Sequence, residues 1–306
     1  MHFVQSLVKA IELAVGWIFS PSWLPPKDFQ LLRWLFVPGY GYGFILVGLA
    51  ILELLRPQQR RTWNRASLLS ATYLMLAGKM GLYTIVITPL IRNAWVYFRL
   101  PSLHLDRVLP LPVYMLVGLL VLTFLDYWAH RFLHRVPSLW HIHKIHHSVT
   151  NLNCGSIYHK HFLELILHTP FAVMASLGLG TELVAPFGII VIAIDVLGHS
   201  NVRIDLGWLS YIVSTPQAHR IHHSIDPKHY DTNFGTTLMI WDHVFRTFHY
   251  DRLNPPVGYG VTDGVPVSFL KQQFLPLLWI AKDTGRWFSR LRPRDASEVT
   301  EAGGSV

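Results

Sequence analysis

The sequence predicts an all-α protein embedded in a membrane, and three observations carry that expectation. Of its 306 residues, 51% are hydrophobic and 14% charged, against roughly 25% charged in globular domains. The apolar residues gather into runs close to the ~20 residues a helix needs to cross the hydrocarbon. The histidines recur three and four residues apart, the spacing that places side chains on one side of a helix.

Composition narrows the class of partner. The net charge is +8, beside 11 Trp and 12 Tyr, and the mean hydropathy is +0.32. Basic charge suits nucleic acid, an anionic membrane surface or an acidic ligand. Amphipathic aromatics beside apolar runs favour the membrane. No nucleic-acid-reading motif is present, so no nucleic-acid partner is expected. One cysteine, Cys154, excludes a disulfide framework and a cysteine-based zinc site; it reads as a buried, inert thiol.

The elements follow in order. Residues 1–38 form an N-terminal segment. In it Lys9 and Glu12 interrupt the apolar run 3–19, which argues against a secretory signal. That run reads as an amphipathic interfacial helix or a weak first span. Residues 39–128 hold spans at 39–55, 66–91 and 109–128. Residues 129–250 form a histidine-rich region containing a membrane hairpin, 161–197, whose arms carry Pro170 and Pro186. Prolines kink helices, and packing inside a bundle tolerates this. Residues 251–292 include an interfacial helix, and 293–306 lack a hydrophobic pattern and read as disordered.

Charge sets an expected orientation. Arg56, Arg60, Arg61 and Arg65 follow the span 39–55, which makes their loop cytoplasmic by the positive-inside rule. Two further spans and the hairpin then leave all histidine clusters on the cytoplasmic side. The arginines of the 92–107 loop weigh against this assignment.

Sixteen of the 18 histidines lie between His130 and His249. They form three boxes: His130-Arg-Phe-Leu-His134, His143-Lys-Ile-His146-His147 and His219-Arg-Ile-His222-His223. Helical spacing lets each box aim its imidazoles at one point. Eight imidazoles exceed what one four-coordinate ion takes and suit two ions. Imidazole binds zinc, copper, iron and nickel. No HExxH supplies the general-base glutamate of a zinc peptidase, and no carboxylate lies inside the boxes. Redox chemistry is therefore the better expectation.

The runs DYWAHRFLH, LWHIHKIHHS and TPQAHRIHHS, the last followed by NFGTTLMIWDHVFRTF, resemble the sterol desaturase and fatty acid hydroxylase superfamily. The resemblance spans roughly residues 120–250, with all three boxes in order and a hydrophobic hairpin between the second and third. It implies a membrane enzyme with two iron ions, zinc being able to substitute for them. It also implies O2 as co-substrate and a membrane lipid as substrate. Electrons would come from a separate ferredoxin- or cytochrome b5-like protein, since no fused haem domain is evident. It makes His130, His134, His143, His146, His147, His219, His222 and His223 metal ligands, with His199 in GHSN a ninth. His161 and Glu164 fall where many members carry His-Pro-x-Glu. Phe162 replaces that proline, so these two are candidates only for the layer around the ligands. Arg246 stands where many members have glycine, and His243 and His249 read as loop histidines.

Ligating imidazoles usually donate their second N–H to a carboxylate or carbonyl. Asp126, four residues before His130, and Asp242 are candidates for that role. Asp195, costly in lipid, is expected to face the bundle or the site. Two outcomes share such a site, lipid C–H hydroxylation and desaturation. A metal transporter or metal sensor is the third reading. Transporters usually hold ligands on broken helices at the bilayer midplane, whereas these boxes fall just outside the spans. The preference for Arg over Lys and the lack of a dilysine ending favour a bacterial inner membrane, with the endoplasmic reticulum as the alternative.

Overall fold

A computed structural model describes residues 45–59, 88–164, 178–179, 184–204, 206–251, 256–262 and 264–291. The expectations for 1–38, for most of 66–91, for the first hairpin arm beyond 164 and for the tail 293–306 lie outside the described residues. Among the described residues the structure is helical, with isolated β-bridges and no strand. The α-helices are α1 (Ile45–Leu55), α2 (Thr88–Tyr97), α3 (Leu105–Val108), α4 (Leu111–Arg135), α5 (Pro137–His147), α6 (Val184–His199), α7 (Pro216–His222), α8 (Ile240–Val244) and α9 (Phe269–Leu291).

Helix α4 is the scaffold. It is the one described helix long and apolar enough to cross a membrane. Pro112 sits in its first turn, where a missing N–H costs nothing. It continues seven residues past the expected span end at 128 and carries the first box on its last turns. It stops because Val136 precedes Pro137: the residue before proline is pushed out of the α region, and Val136 lies at φ −95°, ψ 114°. That single extended residue turns the chain into α5, so the first two boxes sit on consecutive helices that pack together.

Helix α9 packs on the outer side of α5. His141 meets Asp283 at 2.7 Å, and the Lys144 ammonium lies 4.1 Å from the Trp279 ring centre. The sequence suggested a helix resting on lipid, and here one side packs against protein. Leu270, Phe274 and Leu278, four residues apart, remain exposed on another side.

Helix α6 ends at His199 and hands the chain to a polar junction. Glu53 of α1 is buried there. Its Oε1 accepts from the Cys154 amide at 2.6 Å and the Asn201 amide at 2.7 Å. The third-box residue Arg220 is fully buried and donates to the Ser200 carbonyl at 3.0 Å. Helix α7 begins at Pro216, with the Thr215 hydroxyl accepting from the Ala218 amide at its N-terminus, a standard helix-start arrangement.

Candidate metal centre

The nine histidines come together in two groups. His130, His134, His143, His147 and His222 form one, and His146, His199, His219 and His223 the other. Within each group the ligand atoms all lie within 4.8 Å of one another. All are buried except His134, which is half-buried. The groups adjoin, with the rings of His147 and His223 stacked at 4.3 Å.

The boxes do not each serve one point, as their spacing suggested. The first and last histidines of the second box, His143 and His147, join the five-histidine group, while His146 joins the other. The third box is the reverse: His219 and His223 join the four-histidine group, and His222 the five. The cause is helix geometry. At about 100° per residue, side chains four apart are ~40° apart around the axis, but adjacent ones are ~100° apart. A helix lying between two ions therefore sends its i, i+4 pair to one and the intervening histidine to the other.

Hydrogen bonding fixes several tautomers. His130 Nδ1 lies 2.7 Å from the Phe234 carbonyl, His222 Nδ1 2.8 Å from the Thr232 carbonyl, and His199 Nδ1 2.8 Å from the Asp195 carbonyl. His146 Nδ1 faces the His159 carbonyl at 3.3 Å. A carbonyl only accepts, so these nitrogens carry the proton, and in the neutral rings each Nε2 presents a lone pair. Yet His130 Nε2 and His222 Nε2 are 3.1 Å apart, and His199 Nε2 and His146 Nε2 are 3.0 Å apart. Each group thus contains two lone pairs facing each other with no proton to share. A cation between them resolves the conflict. Two nitrogens bound at right angles to one ion at ~2.1 Å lie about 3.0 Å apart. The remaining close Nε2 pairs, at 2.9 to 3.2 Å, keep the same spacing. The donor sets fit metal ions.

Burial keeps these rings neutral. It pushes His146, His147, His219 and His223 well below the usual imidazole range, with neighbouring cationic groups adding to the effect. His222 is driven down to about 3, again chiefly by burial. Neutral imidazole is the form that binds metal. The unfolded chain takes up these protons near pH 6.5, and the fold only far below it. The stability they contribute is complete above pH 6.5 and is lost as the pH falls towards the folded values. Chelator-stripped protein is therefore expected to unfold at progressively lower temperature from pH 7 down to pH 5. An unchanged midpoint over that range would contradict neutral burial.

The carboxylates take different positions around the rings. Buried Glu164 brings Oε2 to 3.2 Å from His143 Nδ1 and Oε1 to 3.2 Å from Lys160 Nζ. Asp195 Oδ1 lies 3.3 Å from His199 Nδ1. Asp242 acts one step away. It accepts from the Phe234 and Gly235 amides, at 2.8 Å each, and from the Thr247 hydroxyl at 2.7 Å. It thereby shapes the loop whose Phe234 carbonyl orients His130. Asp126 accepts from Thr236 of the same loop at 2.7 Å. His161 bonds the Gln273 carbonyl at 2.8 Å, which ties its ring to α9, while Glu164 of the same segment meets His143. The carbonyls of Thr232 and Phe234 carry no side-chain signal, so sequence reading passes over them. His243 is exposed and bonds the Tyr211 carbonyl.

Gly235 is required by close approach. A Cβ there would stand 2.4 Å from the Leu238 carbonyl oxygen and 2.7 Å from Asp242 Oδ2. Gly235→Ala is expected to destabilise by about 1–3 kcal/mol, as overpacking does, and to weaken metal retention. Wild-type thermal stability and metal content together would contradict that.

A cavity of about 260 Å³ opens onto the five-histidine group. His134, His147 and His222 line it together with the apolar Trp140 and Val261 and the polar Ser224, Tyr230, Asp231 and Thr262. The four-histidine group does not line it.

Fold and donor set define a helical protein whose buried histidines are arranged for a pair of metal ions. Residues 115–247 match the family model for fatty acid hydroxylases. The chain is similar to an ornithine lipid hydroxylase of Rhizobium tropici, 35% identical over 55% of this chain and 51% of that protein. It is similar to the human alkylglycerol monooxygenase, 30% identical over 55% of this chain and 36% of that protein. A very-long-chain aldehyde decarbonylase of Oryza sativa subsp. indica is 28% identical over 40% of this chain and 21% of that protein. The chain thus spans about half or less of the length of these relatives. No solved structure matches it.

Proposed function

We propose that this chain is an integral membrane oxidoreductase that holds two iron ions in its histidine groups and hydroxylates a lipid with O2. The observation that carries the reading is the pair of facing Nε2 lone pairs, one in each group. The names of the relatives, hydroxylases and monooxygenases of lipids, support the reaction class. Iron there would supply O2-dependent oxidation of an unactivated C–H bond; zinc in its place has no redox chemistry.

The chain's own residues do the rest. The carbonyls of Phe234, Thr232 and Asp195 hold three rings in the tautomer that offers Nε2. Burial excludes water from the ions, which guards a reactive oxidant against side reactions. The cavity beside His134, His147 and His222 admits the lipid to the five-histidine group, and the sealed four-histidine group serves as its partner. Glu164 and Asp195 support His143 and His199. Helix α4 spans the bilayer together with the segments at 39–55 and 66–91. Helix α9 lies at the interface, and the boxes face the cytoplasm of a bacterial cell. A separate ferredoxin- or cytochrome b5-like protein delivers the electrons.

The test begins with metal content of detergent-purified protein beside the triple variant His143/His146/His147→Ala. Two irons per chain, lost in the variant, are expected. Iron-loaded protein is then given a reducing system and a total lipid extract, and products are read by mass. Gain of one oxygen supports hydroxylation; loss of two hydrogens reassigns the reaction to desaturation. Metal content that the variant leaves unchanged overturns the proposal.

A further inference from the structure

Helix α8 and the turn before α7 form one exposed apolar surface that the metal site does not use. The turn Gly207–Tyr211 starts with Gly207 at φ +55°, a conformation glycine adopts freely. It buries Ser210 and turns Trp208, Leu209, Tyr211 and Ile212 outward, Trp208 being 70% exposed and Ile212 46%. Helix α8 exposes Ile240 and Val244, at 42% and 58%. Three contacts join the two pieces. The Met239 amide donates to the Ile212 carbonyl at 2.8 Å, Val213 and Leu238 form an antiparallel bridge, and His243 Nε2 donates to the Tyr211 carbonyl at 3.0 Å.

The depth of this surface is set by α4. The Trp241 indole N–H donates to the Thr123 hydroxyl at 3.0 Å. The Trp241 ring meets Phe124 at 4.9 Å, and Phe245 meets Trp128 at 5.0 Å. A span needs about 20 residues, and α4 runs from Leu111 to Arg135. Every 20-residue stretch within those limits contains Thr123. Any bilayer that α4 crosses therefore reaches the level of Trp241, and α8 with it. Six apolar side chains facing water at that level would be unfavourable, and facing lipid they gain transfer energy. Exposed Arg203 and Arg246 flank the surface in sequence, where long cationic side chains can reach headgroups.

We infer that Trp208, Leu209, Tyr211, Ile212, Ile240 and Val244 form a membrane-inserted face, a second lipid contact beside the spanning helix. The inference rests on the reading of α4 as a span. It has a consequence for the site. The Ser214 amide bonds the Thr237 carbonyl at 2.9 Å, and Thr215 then starts α7, whose histidines enter both metal groups. The lipid contact thereby adds a second anchor, beside α4 with its first-box histidines, that holds both groups at a set level relative to the membrane.

The sole native cysteine is buried, so introduced cysteines can be labelled selectively. W208C, I212C and V244C are labelled with an environment-sensitive fluorophore in vesicles of phosphatidylcholine and phosphatidylglycerol. L116C on α4, at a position 56% exposed, is the lipid control, and V257C, fully exposed, is the aqueous control. Metal content equal to wild type verifies that each labelled protein is folded. Labels at 208, 212 and 244 are expected to be quenched by nitroxide lipids, as at 116, and protected from aqueous iodide. Quenching by iodide as at 257 overturns the inference while α4 remains a span. Protection from both quenchers also overturns it, since protein then covers the face. If the 116 label itself behaves like 257, the spanning reading of α4 falls and the inference with it.

Discussion

Replacing His222 with alanine is expected to lower metal content from two ions per chain towards one and to abolish product. His222 offers Nε2 to the five-histidine group, and its Nδ1 is held by the Thr232 carbonyl. Losing a partner around a ligand typically lowers metal affinity 10–100-fold, and losing the ligand itself is expected to exceed about a hundredfold. His146→Ala is expected to act the same way on the four-histidine group, and the double variant should hold no metal. Membrane insertion should persist in all three, since no buried apolar contact is removed. Metal analysis per chain and lipid product mass read the outcome. Full activity in either single variant would contradict the ligand assignment.

The second large effect is expected from Asp242→Ala. Asp242 is fully buried, and its two oxygens accept from two amides and one hydroxyl. The same Thr247 hydroxyl is 2.9 Å from the Tyr127 hydroxyl on α4. Removing the carboxylate strands three buried donors, each worth about 1–3 kcal/mol. The total is a large share of the roughly 5–15 kcal/mol that holds a typical protein folded. Little folded protein should accumulate. Asp242→Asn keeps the size and one acceptor oxygen, so more should fold. Its metal loss should fall on the five-histidine group, because the loop that carries the Phe234 carbonyl then loosens behind His130. Asp242→Ala protein that accumulates and binds metal like wild type would show that the loop is held by other contacts.

The two variants test different levels of legibility. His222 was readable because HxxHH is a local pattern whose meaning depends only on helix pitch. Asp242, beside Trp241, was readable as a candidate carboxylate near the ligands, but its partners were not. Sequence spacing suggested an imidazole, whereas the structure puts two loop amides and a hydroxyl in between. Asp126 shows the same thing. Four residues before His130, it meets Thr236 on the loop instead. His161 lies close in sequence to Glu164, yet one is tied to α9 and the other to His143. The partners of Asp126 and His161 come from segments 110 and 112 residues away, and no periodicity encodes that distance.

Apart from His199, which only the family resemblance added, the sequence by itself determined the helical class, the apolar stretch that became α4, the three boxes in their order and the eight box histidines as one constellation. These depend on local geometry: the pitch of a helix, the length that crosses hydrocarbon, and the break that Pro137 imposes after Val136. Only the tertiary structure decided how the constellation divides. Helices α5 and α7 lie between two centres, so each sends its i, i+4 pair one way and its remaining histidine the other. The rings of His130 and His222 are oriented by carbonyls of the 232–234 loop, and that of His199 by the Asp195 carbonyl of α6. Those carbonyls belong to the backbone, and for His130 only the packing of a segment 104 residues away brings the carbonyl to the ring.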